Sequence, residues 1–424
     1  MASTSARVRV LPNCQGEDPD LLPVMEAERR VRDSLVPLDT AVLVPLAESL
    51  DRILAEDIVS PLNVPPHRNS AMDGYAIRGT DLPTDDIKTL DVVGTAWAGR
   101  PHIGQMPEGT VVRIMTGAKM PDEADTVVIQ EHAETDGERI RIDARHKIGQ
   151  NVRQAGEDLR DGETVLLAGQ RIGPAEMGLM GSLGFETIPV RPRLKVAVFS
   201  TGDEVRTPGQ AQTDGGIYDS NRFTLQGMLR RLGADVLDMG VLPDNLATIQ
   251  QALEDASSQA DVVITSGGVS AGAADYVKET LEAIGQIGFW KIAIRPGRPL
   301  AFGRINNAAF FGLPGNPVAV MVTFYQFARP AIRTLMGETT LKPEPLIDVR
   351  TASRLRKKPG RIEYYRAILD RDDSGELVVS TTGSSGSGLL HTMSHANCFV
   401  ILDHDEDTAE VGDIVKVQPF FGLT

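Results

Sequence analysis

A chain of 424 residues, 41% hydrophobic and 24% charged, has the make-up of an ordinary globular protein. It is too long for one core, so about two to four domains are expected. The formal net charge of −15 argues against wrapping a nucleic acid, which needs clustered Lys and Arg, but leaves room for a local basic pocket holding a small anion. Cys14 and Cys398 make no disulfide framework, no run approaches the roughly 18 apolar residues of a membrane span, and the N-terminus lacks an apolar stretch of signal-peptide length. A cytoplasmic protein with neither nucleic-acid nor membrane partner is expected.

Apolar residues at helical spacing predict an amphipathic helix over 21–36, and LAESLDRILAEDIVS predicts another within 41–60, running into an extended piece before Pro61. From 61 to about 162 the texture changes to short β-like runs (VVRIMTG, DTVVIQ, RIRID) divided by Gly, Pro and Asp, as in a small all-β domain. Between Pro192 and about Gly337, the strands RLKVAVFS, ADVLDMGVL and DVVITS alternate with the helices NRFTLQGMLRRLG and LATIQQALEDASSQ. That alternation predicts a doubly wound parallel sheet, whose ligands bind beyond the carboxyl ends of the strands. After Pro343 the short strands LIDVRTASRL, RIEYYRAIL, ELVVSTTG, CFVILD and IVKVQPF predict a small barrel or sandwich.

The chemistry gathers in loops. In NSAMDGYAI, Asp73-Gly74 among apolar neighbours reads as a hairpin turn, since both residues tolerate positive φ, or as a carboxylate presented by that turn. TSGGVSAGAADYV (265–277) follows a strand; Gly267, Gly268 and Gly272 free backbone N–H groups for a phosphate, Ser266 and Ser270 add hydroxyls, and Asp275 adds a carboxylate. The loop matches neither a Walker A sequence nor the dinucleotide fingerprint. In GLPGNP, Asn316 is a good N-cap, Pro317 suits a first helical turn, and the remaining Gly and Pro fix a rigid rim. FWKIAIRPGRP places Lys291, Ala293 and Arg295 at period two, on one strand face, either protecting an edge or lining a cationic wall, with Arg298 in the following turn. Glu204, Asp244 and Asp275 all follow strands of the same predicted sheet and suit Mg²⁺ with a phosphorylated ligand. His391 and His395 in HTMSH have the i,i+4 spacing of metal ligands without a third partner in sequence. RLRKKPGR (354–361) is a basic patch, and DHDEDTAE (403–410) reads as a solvated acidic loop.

Taken in order, NSAMDGYA, RIMTGA, GQNVRQAGED, FSTGDE, SGGVSAGAADY, FWKIAIRPGRP and GLPGNPVA resemble the molybdopterin molybdenumtransferase family, which includes the E domain of gephyrin, from about residue 21 to the C-terminus. The resemblance implies an α/β multidomain fold. Its doubly wound molybdopterin-binding domain (192–342) is flanked by a small mostly β domain (61–162), an elongated linking domain built from 21–60 and 163–191, and a C-terminal β-barrel-like domain (343–424). It implies insertion of molybdate into adenylylated molybdopterin with release of AMP, dependence on Mg²⁺, and a homodimer with shared active sites. It also suggests molybdopterin adenylyltransferase as a partner.

Carried onto matching positions, the family's catalytic residues are Asp73, Thr116, Asp158, Glu204, Asp244 and Asp275, with Glu204, Asp244 and Asp275 as metal ligands. Ser266, Gly267, Gly268, Ser270, Lys291, Arg295, Pro314, Pro317, Arg366 and Ser387 would bind substrate. Arg68 stands where many members have an acid, and Arg295 and Arg298 stand where lysine is usual. A gephyrin-type scaffold and an adenylyltransferase are the alternatives. The β segments at 61–162 and 343–424 argue against the adenylyltransferase, and the lack of a further fused domain argues against the scaffold.

Overall fold

The computed structural model describes residues 6–9, 21–267, 280–281, 283–383 and 386–420. The chain forms two compact units, one of Met1–Glu56, Gly169–Gly173 and Thr187–Thr424, the other of Asp57–Ala168 and Pro174–Glu186. The first unit opens with helix α1 (Val24–Ser34), which buries Val24, Ala27 and Val31 along one stripe. The second expected helix, within 41–60, does not form. Val42–Pro45 is a strand paired antiparallel with Thr187–Val190, a single 3₁₀ turn follows at Leu46–Glu48, and Asp51 at φ +59° stops any continuation. Ile53 and Leu54 then bridge to Arg171 and Val190 in extended form. Burial of Leu54 against that returning segment outweighs a local helical preference.

The second unit is a six-stranded sheet of β1 (Gly74–Ile77), β2 (Lys88–Ala96), β3 (Thr110–Ile114), β4 (Thr126–Ile129), β5 (Glu134–Thr135) and β6 (Arg139–Ile142), in the order β4-β1-β3-β2-β6-β5. The strand period sends Ala76, Val112, Ile114 and Val127 into one core and Tyr75, Ile77, Val111 and Val128 into another on the opposite face. Helix α2 (Pro174–Ser182) also belongs to this unit.

In the first unit, β7 (Lys195–Thr201), α3 (Asn221–Arg231), β8 (Asp235–Leu242), α4 (Leu246–Gln259) and β9 (Val262–Ser266) alternate as expected. β10 (Gly285–Lys291), β11 (Pro299–Ile305) and β12 (Ala308–Leu313) complete a sheet ordered β8-β7-β9-β12-β11-β10. Its first four strands are parallel; β11 and β10 join antiparallel. Val196, Val198, Ile264 and Phe311 pack in the core shared with Leu225 of α3, while Ala197, Phe199, Val263 and Phe310 pack with Ile249 and Leu253 of α4. Both faces are therefore covered, which is why these strands read as continuous apolar runs.

After β12, α5 (Pro317–Thr323) and α6 (Arg329–Leu335) are joined through a π turn at Phe324–Ala328. Pro330 has no N–H to offer a regular helical repeat, and the widened turn just before it absorbs the mismatch. The C-terminal segment holds β13 (Ile347–Thr351), β14 (Ile362–Arg371), β15 (Leu377–Thr381), α7 (Leu390–His395), β16 (Cys398–Leu402) and β17 (Ile414–Pro419). Pairing runs β14-β15-β13-β17-β16 and returns to β14, so the five strands close into a barrel rather than a sandwich. Val349, Ala367, Val379, Val400 and Val417 fill it.

Candidate functional site

The acids after β7 and β8 come together. Gly202, at φ +138°, lets the chain turn at the end of β7 where a Cβ would sit 2.7 Å from Glu204 Oε2. The Asp244 N–H donates to Asp203 Oδ1 at 3.2 Å. Burial, then the charges of Asp203 and Glu204, push the Asp244 carboxyl above its ordinary value. Glu204 and Asp244 were expected here. Asp203 was missed, although the adjacent acids of STGDEV are its signal. Asp275 lies outside the described residues, and among the described residues no three His, Cys, Asp or Glu side chains are grouped tightly enough to hold a metal.

The glycine loop begins at the carboxyl end of β9. Gly267, at φ +96°, donates its N–H to Leu313 O at 3.1 Å, and a Cβ there would meet Thr201 O at 3.2 Å. Ser266, buried, accepts from Asn221 Nδ2 at 2.8 Å and donates to Pro314 O at 3.4 Å. Asn221 Nδ2 also donates to Gly315 O at 2.7 Å. One amide at the start of α3 therefore ties the loop after β9 to the loop after β12. Below it, Asp219 accepts from Ser200 Oγ at 3.2 Å and from Arg222 Nε at 2.9 Å, and Arg222 reaches on to Asp238. This buried network fixes where α3 begins. Asn221, Asp219 and Arg222 were not singled out from sequence; a polar cluster (YDSNR) at the head of a helix was the available sign. Gly268, Ser270 and Gly272 lie outside the described residues.

Pro314 is buried, Asn316 has extended N-cap geometry and Pro317 opens α5, as expected, although the Asn316 side chain makes no cap bond. The Val318 N–H donates to Ser387 O at 3.0 Å, which brings Ser387 against the first turn of α5.

Lys291 and Arg295 do not share one strand face. β10 ends at Lys291, the Ile292 N–H closes onto Arg298 O at 2.7 Å, and Leu22 inserts alongside by accepting from Ala293. With Pro296 and Gly297 at φ +107° turning the chain, Ile294–Arg295 becomes a separate short strand parallel to Ile362–Glu363. Arg295 Nη1 donates to Glu363 Oε2 at 3.2 Å. Glu363, 3% exposed at its side chain, also accepts from Arg361 Nε and the Tyr365 hydroxyl, each at 2.8 Å. A small cleft is lined by Arg295, Glu363, Tyr365, Arg366, Thr381 and Gly383. Arg366 is buried there, and burial lowers its pKa. Lys291 and Arg298 are exposed.

In the second unit, Asp73 Oδ1 accepts from the Thr116 N–H and hydroxyl, both at 2.7 Å. The hydroxyl first, then the N–H, with help from Arg113, hold its carboxyl below the ordinary value. The hairpin expected at Asp73-Gly74 is absent. Asn69–Ser70 pairs with Val152–Arg153, whereas β1 runs between β3 and β4. Gly74 is needed for close approach rather than positive φ, since a Cβ would lie 2.0 Å from Val128 O. Asp158 is exposed, its N–H bonded to Val64 O at 2.9 Å. Arg68 is engaged by the Ala124 and Asp122 carbonyls at 3.0 and 3.2 Å. The basic patch is also committed locally: Arg354 bonds Glu410 at 2.9 Å, and buried Lys357 donates to the His404 carbonyl at 3.3 Å and to that of Glu406, inside the acidic run.

A doubly wound sheet whose strand ends gather acids, a glycine turn and a serine hydroxyl, with a closed barrel and a separate β unit on the same chain, defines a multidomain α/β protein with its candidate site at the carboxyl ends of the parallel strands. Residues 22–184 match the MoeA N-terminal region (domain I and II), 197–334 a "probable molybdopterin binding domain", and 348–420 the MoeA C-terminal region (domain IV). The molybdopterin molybdenumtransferase of Haemophilus influenzae is 44% identical over 377 residues, covering 88% of this chain and 93% of that protein. Gephyrin of Dictyostelium discoideum is 34% identical over 95% of this chain and 62% of its own length. The crystal structure of the molybdopterin biosynthesis moeA protein from Pyrococcus horikoshii OT3 superposes with a TM-score of 0.82 at 27% identity, covering 94% of this chain and all of that one. The chain belongs to the molybdopterin molybdenumtransferase family, enzymes of molybdenum cofactor biosynthesis.

Proposed function

We propose that the chain takes adenylylated molybdopterin and molybdate, inserts molybdenum at the dithiolene and releases AMP. The observation that carries this reading is the meeting, at one sheet edge, of crowded acids (Asp203, Glu204, Asp244) with the Ser266–Gly267 turn that Asn221 ties to the GLPGNP rim. Its parts suit the two ends of the substrate. The Ser266 hydroxyl and the Gly267 N–H are bonded to Pro314 O and Leu313 O, so the turn and the Pro317 rim act as a rigid floor that fixes where the substrate lies. Lys291 and Arg295 offset the repulsion between molybdate and the pterin phosphate. Arg366 and Ser387 would bind the substrate as well.

Glu204 and Asp244, with Asp275, would hold Mg²⁺. Neighbouring carboxylates, of which Asp244 is raised by its burial and by the charges of Asp203 and Glu204, suit a hard cation that takes its remaining ligands from water and phosphate. Bound there, the ion supplies charge neutralisation at the phosphoanhydride. Asp73, held ionised by Thr116, and Asp158 complete the catalytic set.

We assign 21–60 with 163–191 to a linking domain, 61–162 to the β domain, 192–342 to the molybdopterin-binding domain and 343–424 to the barrel. The protein is read as a cytoplasmic homodimer in which each site takes Asp73 from one subunit and Glu204 from the other. A molybdopterin adenylyltransferase would hand over the substrate. Purified protein incubated with adenylylated molybdopterin, Mg²⁺ and molybdate should release AMP and yield cofactor that activates an apo-molybdoenzyme; no AMP above the protein-free control would refute the reading. For the shared site, Asp73→Ala and Glu204→Ala chains mixed into verified heterodimers should regain about one working site per dimer, since one site would carry both lesions and the other neither. A site built within one chain would regain nothing.

A further inference from the structure

We propose that His391 and His395 form a chelating site for a divalent first-row transition ion, taking Cu²⁺ in preference to Ni²⁺ and Zn²⁺. Both are exposed on α7, one helical turn apart, while Thr392 and Met393 of the same helix are buried. Their Nε2 atoms are 3.0 Å apart, and their rings, tilted by 59°, have centroids 4.4 Å apart. In the free pair that contact is a hydrogen bond, one imidazole N–H donating to the other ring's nitrogen. The centroids stand farther apart than the nitrogens, so the rings splay back from two nitrogens that converge. An ion that displaces the shared proton would be held by both nitrogens.

The bite selects among ions. With metal–nitrogen bonds of about 2.05 Å, a separation of 3.0 Å closes at about 94°, near the cis angle of a square plane or octahedron and short of the tetrahedral angle of about 109°. The geometry therefore adds to the intrinsic order that places Cu²⁺ above Ni²⁺ and Zn²⁺. Among the described residues no third His, Cys, Asp or Glu joins the pair, so waters fill the remaining positions and exchange is open. Imidazole nitrogen also separates this site from the acids at Glu204 and Asp244, whose oxygens suit hard cations. The other neighbouring histidines differ: His132 and His146 have centroids 5.8 Å apart, and His146 Nδ1 is bonded to Gln150 at 2.9 Å.

The test uses the full chain without an affinity tag, titrated with Cu²⁺ near pH 7.5. One equivalent should bind, with an electron paramagnetic resonance spectrum showing coupling to two imidazole nitrogens. His391→Gln and His395→Gln should each weaken binding by about tenfold or more and remove one nitrogen coupling. Both positions are exposed, and circular dichroism of the variants should match the parent. The same spectrum and stoichiometry in the double variant would place the ion elsewhere and overturn the proposal. Failure of the parent chain to bind micromolar Cu²⁺ would overturn it too, as would tighter binding of Zn²⁺.

Discussion

Asp73 and Asp244 are the same side chain under opposite conditions. Asp73 is met by the Thr116 N–H and hydroxyl at 2.7 Å, with Arg113 nearby, so its charge is supported by the protein and its pKa falls. Asp244 is partly desolvated and faces Asp203 and Glu204; its own N–H donates to Asp203, and its pKa rises. One carboxylate is finished, the other is short of positive charge. A group whose donors are in place is suited to orient or accept within a preset geometry, whereas an acid whose backbone bond to Asp203 does not offset its burial and its acidic neighbours is suited to a cation brought with the ligand.

The largest effect should come from removing the unfinished side. If these acids hold a divalent ion as proposed, Glu204→Ala and Asp244→Asn should each lower AMP release by at least about a hundredfold, through loss of the charge that would bind it. Circular dichroism should show both variants folded. Turnover at the parent rate by either would mean that these acids serve another purpose.

A smaller effect is expected at Arg295. Arg295→Ala should weaken binding of the phosphorylated pterin by about tenfold or more, and Arg295→Lys by less, since lysine keeps the charge but loses the fork. Glu363→Gln tests the support. Glu363 is buried and shared by Arg295, Arg361 and Tyr365, and its loss should raise KM through Arg295 while leaving the Arg295→Ala background unchanged. Equal losses by Glu363→Gln in both backgrounds would separate Glu363 from the arginine.

Legibility from sequence followed the range over which each residue is determined. The alternating strands and helices of 195–266 were readable because burial on both faces writes itself as apolar runs. The helix within 41–60 was not, because Ile53 and Leu54 are fixed by pairing with residues more than a hundred positions away. A separation of 68 positions hid Glu363 from Arg295, and with it the break in the strand after Lys291. Asp73 drew attention through its Gly, but for the wrong geometry: Gly74 makes room for the Val128 carbonyl of a neighbouring strand, a contact that dipeptide turn rules do not contain. Asn221 was invisible because its importance lies in joining two loops, Ser266 and Gly315, that only the parallel sheet brings together.

The smallest predicted effect is also the sharpest on the comparison itself, because it compares signs. Asp244 has a folded pKa above its unfolded value near 3.8, so it binds its proton more tightly in the folded chain. The stability this contributes is complete below about pH 3.8 and is lost as the pH rises through the folded pKa. At pH 7 the ionised group is a burden, and Asp244→Asn should raise the melting temperature slightly while removing activity. Asp73 has a folded pKa below its unfolded 3.8, so its contribution is present above that value and is lost as the pH falls through the folded pKa. Asp73→Asn should therefore lower the melting temperature of its own unit at pH 7, with the difference from the parent closing as the pH drops below 3.8. Mg²⁺ should raise the melting temperature of the parent more than that of Asp244→Asn, since it relieves a crowding that the variant no longer has. Scanning calorimetry of both variants between about pH 3 and pH 7, with and without Mg²⁺, reads all of this at once. Shifts of the same sign in the two variants at pH 7 would remove the distinction between a satisfied and an expectant carboxylate.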